Sequence, residues 1–374
     1  FISNLKPRVS YGVTGNSETG PYDSQGGFRN YTTIFSNAQA SGIGVDKLAN
    51  PELKWEKTAQ VNGGLDIGLL DNRINLEIDA YYKKTTDMLL GAPVPESSGY
   101  TTITKNIGSM ENKGFELSIN TVNIRTRDFS WESSLNISFN KNKILQLGEG
   151  NDDIYPGPDI LSSSNNIIRV GESVGSFYGY KRLGTWGTAE ADEAARYGKR
   201  PGDLKLWDKN NDGQINDADR LIIGKGVPDG FGTFSNSFRY KNFDLTVELQ
   251  YMFGNDILDI SKHSAEDRTG IANSYKTILN AWTPENQNTM IAQIRPTSAG
   301  YTTNIDSHFV EDGSFIRGRN LLISYTFSRD LIQRIHLKSL RVYGSVQNFF
   351  VLSKYDGYDP EVSDAKESFA QGIT

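Results

Sequence analysis

The segment Phe243-Asp244-Leu245-Thr246-Val247-Glu248-Leu249-Gln250-Tyr251-Met252-Phe253 alternates apolar and polar side chains over most of its length. Successive residues of a β-strand point to opposite faces, so this segment forms a strand with one apolar face and one charged face. The same alternation runs through Arg73 to Tyr82 and through Phe129 to Asn140. The repeated pattern predicts an all-β fold built from long strands of this kind.

Nine such strands are predicted, and the lengths of their connections decide the architecture. The strands are residues 4–14, 54–69, 73–89, 113–126, 129–144, 231–240, 243–254, 314–328 and 339–352. Short connections at 70–72, 126–128, 241–242 and 329–338 alternate with long ones at 15–53, 90–112, 145–230 and 255–313. Regular alternation of this kind is typical of an antiparallel up-and-down transmembrane β-barrel, with short periplasmic turns and long extracellular loops.

Composition narrows the function classes. The chain has 374 residues, a net charge of −6 and no basic block, which argues against nucleic acid as a partner. No cysteine is present, so disulfides and cysteine-based metal sites or nucleophiles are excluded. No apolar run of about 18 residues predicts a transmembrane helix, but a transmembrane β-barrel carries its lipid face on alternate residues and keeps a low mean hydropathy.

Residues 208–219, Asp-Lys-Asn-Asn-Asp-Gly-Gln-Ile-Asn-Asp-Ala-Asp, have the spacing of a calcium-binding loop. Ca²⁺ takes six to eight oxygen ligands, and a glycine at the sixth position allows the sharp turn that such a loop needs. The candidate ligands are Asp208, Asn210, Asp212, Gln214 through its backbone carbonyl, Asn216 and Asp219. Position 12 is Asp rather than Glu, which favours a structural site over a signalling sensor. A polar turn without a metal is the alternative.

Two helices are predicted within the long loops. Ala189 to Tyr197 is rich in Ala and Glu, and Ile271 to Trp282 places apolar residues on one helical stripe. We expect that stripe to pack onto the barrel rim or another loop, with contact to a partner or ligand as the alternative. The loop aromatics Tyr178, Tyr180, Trp186, Tyr197 and Trp207 suit either stacking on a sugar ring or packing against a partner protein.

Several segments together resemble the SusC/RagA family of TonB-dependent outer-membrane transporters. The segments are Leu5 to Asn16 (LKPRVSYGVTGN), Asn50 to Glu56 (NPELKWE), Asn106 to Glu116 (NIGSMENKGFE), Val170 to Tyr180 (VGESVGSFYGY), Pro201 to Asp203 (PGD) before the calcium-like loop, Trp282 to Asn286 (WTPEN) and Tyr355 to Glu361 (YDGYDPE). Each is short, but they follow one another in the family's order along nearly the whole chain.

The resemblance implies the C-terminal portion of a plugged barrel of about 22 strands. Residues 1–374 are then its last nine or so strands, and we expect the plug, the TonB box and the closing strand to lie outside them. The family implies import of oligosaccharides, less commonly of oligopeptides, across the outer membrane of a Gram-negative bacterium. It also implies a SusD-like lipoprotein lid and the TonB complex as partners. In that setting, we expect calcium bound at residues 208–219 to stiffen the extracellular loop 145–230.

In a barrel, the row Ile74, Leu76 and Ile78 faces outer-membrane lipid, as does the row Leu245, Val247 and Leu249. The row Glu77 and Asp79 and the row Glu248 and Gln250 face the lumen, where they contact ligand, plug or water. Tyr81, Tyr82, Trp131 and Tyr251 are candidates for interfacial girdles.

Nothing in the sequence marks a catalytic site, so we expect no enzyme. His263, His308 and His336 are far apart, and no nucleophile elbow, phosphate loop or zinc-binding His pair occurs. The alternative function is a soluble or surface-attached β-sandwich module stabilised by calcium. Such a module buries its apolar rows against a second sheet and needs only short strands.

Overall fold

The computed structural model describes residues 1–17, 23–35, 37–100, 102–148, 150–155, 165–266, 273–295, 304–333 and 336–362. Its main element is a nine-stranded antiparallel sheet in which each strand pairs with the next sheet strand along the chain. The strands are β1 (Ile2–Asn16), β2 (Glu56–Leu69), β3 (Ile74–Pro93), β4 (Thr102–Arg125), β5 (Phe129–Leu147), β6 (Gly230–Tyr240), β7 (Phe243–Phe253), β8 (Phe315–Thr326) and β9 (Arg341–Ser353). This is the predicted up-and-down order, and within the described residues the sheet is open.

Two rows on opposite faces give the sheet its sidedness. Ile78 stands opposite Leu65 on one neighbour and Leu117 on the other, and Leu117 stands opposite Ile137. One residue along β3, Asp79 stands opposite Glu116 on the other face. The apolar rows are therefore continuous across strands and face lipid, while the charged rows face the lumen. This agrees with the prediction from alternation.

The turn between β2 and β3 consists of three residues in the left-handed region, Leu70, Asp71 and Asn72, with φ of 53°, 56° and 59°. Asp and Asn tolerate this region because their short side chains bond locally. The backbone N–H of Leu70 donates to the carbonyl of Phe1 at 2.8 Å, which ties the turn to the start of β1. The tight connection fixes the register of the hairpin.

Two strands extend farther than the sequence predicts. The predicted strand 113–126 begins at Thr102, and the predicted strand 73–89 continues to Pro93. Their pairing is interrupted by a bulge after Thr85, where Asp87 has a φ of 57°. These extracellular ends lie beyond the lipid-facing apolar rows, so they keep backbone pairing without the alternation that marks the rest of the strand.

The long connections, which the sequence predicts as loops, contain strands and short helices. The connection 15–53 holds a hairpin of Gly27–Phe35 with Ala38–Lys47. The connection 145–230 holds a three-stranded sheet of Asn166–Ile167, Ser176–Gly179 and Leu221–Lys225. It also holds a separate strand pair, Arg182–Thr185 with Leu204–Leu206. The connection 255–313 contributes a further pair, Asp256–Leu258 with Val310–Asp312.

One helix prediction is confirmed and the other is wrong. The Ala189 region forms a single 3₁₀ turn followed by α1 (Ala191–Arg196), and α2 (Ile260–Glu266) and α3 (Arg329–Ile332) lie elsewhere. Of the stripe from 271 to 282, the first two residues lie outside the described part, and the rest form only a 3₁₀ turn at Lys276–Asn280.

The stripe is divided in the structure. Leu279 is 77% exposed, whereas Trp282 is 5% exposed. The carbonyl of Asn280 accepts hydrogen bonds from the Thr289 hydroxyl and the Asn286 amide, and these compete with continuation of a helix. No helix among the described residues has the length and apolar character needed to cross a membrane.

Two apolar clusters lie at the extracellular side of the sheet, beyond its lipid-facing rows. One joins the extracellular ends of β3 and β5 to the connection 145–230 and consists of Met88, Leu90, Ile144, Leu147 and Ile168. The other lies between the two longest connections and consists of Phe177, Leu258, Ile305 and Phe309. The two longest connections, 145–230 and 255–313, are therefore packed into a folded extracellular unit with its own apolar clusters.

Candidate functional site

The calcium-like loop follows the strand Leu204–Leu206 in this extracellular unit. Gly213 at its sixth position has a φ of 81°, and Asn211 has a φ of 57°. The Asp212 carboxylate accepts the Gln214 N–H at 2.8 Å. The loop therefore has the sharp turn that the sequence pattern predicts, and Gly213 supplies the left-handed conformation at that turn.

The first and last carboxylates of the loop are both buried. Asp208 is 7% exposed and accepts the Gly213 N–H at 2.8 Å. Asp219 is fully buried and accepts the N–H groups of Lys209 at 3.0 Å and Asn216 at 2.9 Å. These hydrogen bonds close the loop by joining its two ends to its middle.

Hydrogen bonding keeps Asp208 ionised. Burial opposes its charge, but the N–H groups of Gly213, Asn211 and Asp212 and the hydroxyl of Tyr197 lower the pKa of Asp208 below its ordinary value. Burial and the same hydrogen bond raise the pKa of Tyr197, which therefore remains a donor at neutral pH. The loop thus presents a carboxylate that is charged across the physiological range.

The carboxylate and amide oxygens of the loop suit a hard cation such as Ca²⁺. The three loop carboxylates do not form a compact group in the structure. In the part of the chain that the structure describes, Asp208, Asp212 and Asp219 form no ion pair with Lys or Arg, and they accept hydrogen bonds from N–H groups and the Tyr197 hydroxyl. The described residues contain one group of three carboxylates whose oxygens all lie within 4.8 Å of one another. That group consists of Asp259, Glu311 and Asp356, and it does not include the predicted loop.

The remaining predicted ligands bond within the loop. Asn210 donates its side-chain amide to Asp212 at 2.9 Å, and the Asn216 side chain accepts the Ala218 N–H at 2.9 Å. Asn216 thereby caps the 3₁₀ turn Asp217–Asp219. Side chains of this type form the same turns with or without a metal, so this geometry does not separate a calcium loop from a polar turn.

A buried ion pair that no sequence pattern predicts joins the two longest connections. Arg182 and Asp306 are both fully buried, with Nη2 2.7 Å from Oδ2 and Nε 3.0 Å from Oδ1. Arg182 also donates to the carbonyl of Met290 at 2.6 Å and lies over the Phe309 ring, 4.7 Å from its centroid. The partners are 124 positions apart, and no local pattern marks either of them.

A second junction lies beside it. The Arg295 guanidinium pairs with Asp203 and donates to the carbonyl of Pro201 at 2.9 Å. The backbone of Gln293 donates to Gly202 at 2.8 Å, and Gly202 has a φ of 86°. The Pro-Gly-Asp segment is therefore a second attachment of the connection 255–313 to the connection 145–230.

Burial limits which loop aromatics are available to a ligand or a partner. Tyr178, Tyr180 and Trp186 are 6%, 4% and 3% exposed, so they belong to the core of the extracellular unit. Tyr197 stacks on Trp186 with ring centroids 5.7 Å apart. Trp207 is 37% exposed. Burial therefore leaves Trp207 and the half-buried Tyr197 as the residues of this set with side-chain surface to offer a sugar or a partner protein, and such contact stays a prediction.

The lumen face carries an ion cluster on the first three strands. The Arg8 guanidinium lies between two carboxylates, with Nε 2.9 Å from Asp66 and Nη2 2.8 Å from Asp79. Lys6 lies 3.7 Å from Asp66. Asp79, predicted to face the lumen, is therefore already paired. The partners are at least 58 positions apart in the sequence and meet only through strand register.

A second lumen cluster fastens the Tyr355 to Glu361 motif to the wall. Arg317 on β8 is 5% exposed and lies 2.6 Å from Asp359 and 2.8 Å from Glu361. Glu361 also accepts a hydrogen bond from Gln250 at 2.8 Å. Gln250, a predicted lumen residue, thus contacts the segment that follows β9.

The family profile described as TonB dependent receptor-like, beta-barrel matches residues 1–250. TonB-dependent receptor P3 of Formosa agariphila is 39% identical over 368 residues, covering 97% of this chain and 36% of the relative. TonB-dependent receptor SusC of Bacteroides thetaiotaomicron is 32% identical over 380 residues, covering 96% of this chain and 35% of the relative. This chain therefore spans little more than a third of these relatives.

Solved structures agree with the sequence relatives. The RagAB peptide transporter superimposes with a TM-score of 0.80 at 28% identity, covering 100% of this chain and 39% of that chain. The RagAB peptide importer in its open-open state gives a TM-score of 0.79. The fold, the family profile and the relatives agree, and the chain belongs to the TonB-dependent receptors of the SusC/RagA type, outer-membrane proteins of Gram-negative bacteria.

Proposed function

We propose that the full-length protein imports oligosaccharides across the outer membrane, powered by the TonB complex and covered by a SusD-like lipoprotein lid. The carrying observation is the sidedness of the sheet, which combines lipid-facing apolar rows with a lumen lined by the ion clusters of Arg8 and Arg317. An apolar outer face and a polar inner face suit a wall around a water-filled or plugged lumen. The match to RagAB along the whole chain supports the same role.

The choice of oligosaccharide follows the family resemblance, in which glycan import is the commoner use. A second candidate substrate is an oligopeptide, favoured by the likeness to the RagAB peptide transporter. A deletion strain separates the two when it is grown on oligosaccharides or on oligopeptides as the sole carbon source. Loss of growth on oligosaccharides alone supports the proposal. Loss on oligopeptides alone replaces it with the second candidate, and unchanged growth on both contradicts import.

The folded extracellular unit is the proposed docking region for the lid. Its buried pair Arg182–Asp306 and its junction Arg295–Asp203 hold two long connections in one arrangement. A preorganised surface loses less conformational entropy on binding than mobile loops do. Trp207, which is partly exposed and lies under the Lys181 ammonium, is a candidate contact.

The calcium-like loop is the proposed metal site of this unit. Asp208, Asp212 and Asp219 with Asn210, Asn216 and the Gln214 carbonyl would hold Ca²⁺, whose charge would balance that of the carboxylates. Its role would be structural, holding the connection 145–230 at the mouth of the barrel. Calorimetric titration of the metal-free full-length protein with Ca²⁺ tests this, with Asp212→Ala as the variant that should lose the binding heat.

We infer that the chain performs no catalysis of its own. His308 lies 2.6 Å from the Glu266 carboxylate, and both His308 and His263 pack edge-on against Phe309. These contacts explain both histidines as parts of a buried loop core. The purified full-length protein should leave the imported oligosaccharide uncleaved, and chromatography of the substrate after incubation measures this.

A further inference from the structure

On the lipid-facing side of the sheet, the apolar rows end at their extracellular margin in a group of lysines. Phe115 on β4 stands opposite Phe139 on β5. The next pair on the same face is Lys113 opposite Lys141. Two positive charges therefore face each other directly above the last apolar pair, an arrangement that is destabilising without a counter-charge.

A second charged row follows immediately. Lys84 on β3 stands opposite Glu111, and Glu111 stands opposite Lys143. Three neighbouring strands thus carry four lysines around one glutamate on one face. The formal charge of these five residues is four positive and one negative, a net +3.

The glutamate balances only one side of this group. The Lys113 ammonium lies 2.9 Å from the Glu111 carboxylate, which also accepts the Tyr82 hydroxyl at 3.1 Å. Within the described residues, Lys141 and Lys143 form no ion pair, and both are exposed. Two of the three uncompensated charges therefore lie on β5, and the third is that of Lys84 on β3.

A recess lies beside these lysines. It is distinct from a cavity of about 490 Å³ that lumen-facing residues line near the periplasmic end of the sheet. The recess has a volume of about 360 Å³ and is lined by Lys141 and Lys143, by the carboxylate of Glu172 and by the ion pair of Lys225 with Asp229. Uncharged residues of β5 and of the segments 171–173 and 227–228 complete the lining. It forms where β6 begins at Gly230, opposite Phe139, so that the edge of β5 beyond Phe139 is not paired by β6. The two lysines thus border a recess large enough for a polar headgroup.

The position of the group matches the outer headgroup region. Ten residues separate Trp131 from Lys141 along β5. At about 3.3 Å per residue and a tilt of about 40°, this corresponds to about 25 Å along the membrane normal, the height of the apolar band in outer-membrane barrels. Trp131 stacks on Phe238 at the periplasmic end of the sheet. The lysines therefore lie at the opposite, extracellular boundary.

We propose that Lys141 and Lys143, supported by Lys113, bind the phosphate of an anionic lipid in the outer leaflet. The occupant is a lipid because the group continues the lipid-facing rows and lies at headgroup height. It carries a phosphate because lysines outnumber carboxylates on this face of the sheet, and the ammonium groups of Lys141 and Lys143 form no ion pair within the described residues. The proposal rests on the outer-membrane location of the family and is independent of which substrate is imported.

The test measures lipid bound to the full-length transporter. Wild type, Lys141→Gln with Lys143→Gln, and Lys83→Gln are placed in phosphatidylcholine nanodiscs containing monophosphorylated lipid A, and bound lipid A is counted by native mass spectrometry. Lys83 is the matched control, because it lies on the other face of β3 over the Tyr81 ring at 4.7 Å. Two lysine contacts at the membrane surface correspond to about 30-fold in affinity.

We expect the double variant to bind lipid A about 30-fold more weakly, with the control unchanged and substrate uptake retained by both. Equal binding by all three proteins contradicts the proposal. Inorganic phosphate that competes as effectively as lipid A would assign the lysines to a free anion and overturn the lipid assignment. Loss of the lid protein instead of lipid A from the double variant would assign them to a protein contact and overturn it equally.

Discussion

The buried pair Arg182–Asp306 should control the opening of the extracellular unit. Removing one partner of a buried ion pair typically costs about 3–5 kcal/mol, because the other charge remains buried and unpaired. Here both side chains are fully buried and the guanidinium makes three contacts of 2.7–3.0 Å with the carboxylate. We therefore expect Asp306→Ala to lower the free energy of local opening by an amount in that range.

Hydrogen exchange in the full-length protein measures this local opening directly. The Ser307 N–H donates to the Tyr180 carbonyl at 2.9 Å, and the Tyr180 N–H donates to the Ile305 carbonyl at 3.1 Å. These amides should exchange at least about 100-fold faster in Asp306→Ala, as a loss of about 3 kcal/mol requires. The amides of the barrel strands should keep their wild-type protection.

Two further variants separate charge burial from general damage. Arg125→Ala removes an exposed pair with Glu132, whose side chains are 67% and 49% exposed, and should change stability by no more than about 1 kcal/mol. Arg182→Met with Asp306→Leu removes both charges and should recover most of the loss. It should retain a deficit of about 1 kcal/mol, because Asp306 also accepts the His308 N–H. If Asp306→Ala exchanged no faster than Arg125→Ala, the reasoning would be refuted.

Three further predictions concern the same unit. Removing calcium with a chelator should expose the segment 208–219 to protease in wild type and have no added effect in Asp212→Ala; equal resistance with and without metal would argue for a simple polar turn. Folding lowers the pKa of Asp208, so the ionised carboxylate stabilises the loop above about pH 4, the ordinary Asp value. This stabilisation is lost as pH falls through the pKa of the folded state. Proteolysis of the loop should therefore rise below about pH 4, and it should rise less in Asp208→Asn. Gly202→Ala should destabilise the unit more than Gly198→Ala, by about 1–3 kcal/mol. Both glycines have a positive φ, but an added Cβ at Gly202 meets the Gln293 Cβ at 2.8 Å, whereas Gly198 faces open space. Equal melting temperatures of the two variants would contradict this prediction.

The two-residue alternation of apolar and polar side chains made the strands of the barrel wall predictable from the sequence. Alternation in segments such as 243–253 reports lipid on one side and water on the other, and all nine strands were located from it. The extracellular ends of β3 and β4 were missed because no lipid constrains them there. The stripe from Ile271 to Trp282 was misread because helical spacing does not reveal that Trp282 is buried while Leu279 is exposed.

The charged junctions were beyond reach of the sequence for a different reason. Arg182 and Asp306, or Arg8 and Asp79, are ordinary residues until register and loop packing bring them together. The calcium-like loop is the opposite case, since its ligands lie within twelve consecutive residues and the pattern is legible without a fold. Its turn geometry is present, and its metal remains a prediction.

The most direct test of the import account introduces single cysteines into residues 1–374, which contain none, and uses the reagent-treated full-length wild type as the reference for any cysteine elsewhere. Glu248→Cys places a thiol on the lumen face of β7, and Val247→Cys places one on the lipid face of the adjacent residue. In intact cells expressing each full-length variant, uptake of labelled oligosaccharide is measured before and after a charged, membrane-impermeant thiol reagent. The account predicts that the reagent blocks uptake through Glu248→Cys and spares Val247→Cys. Equal uptake by both treated variants would contradict passage of substrate along this face.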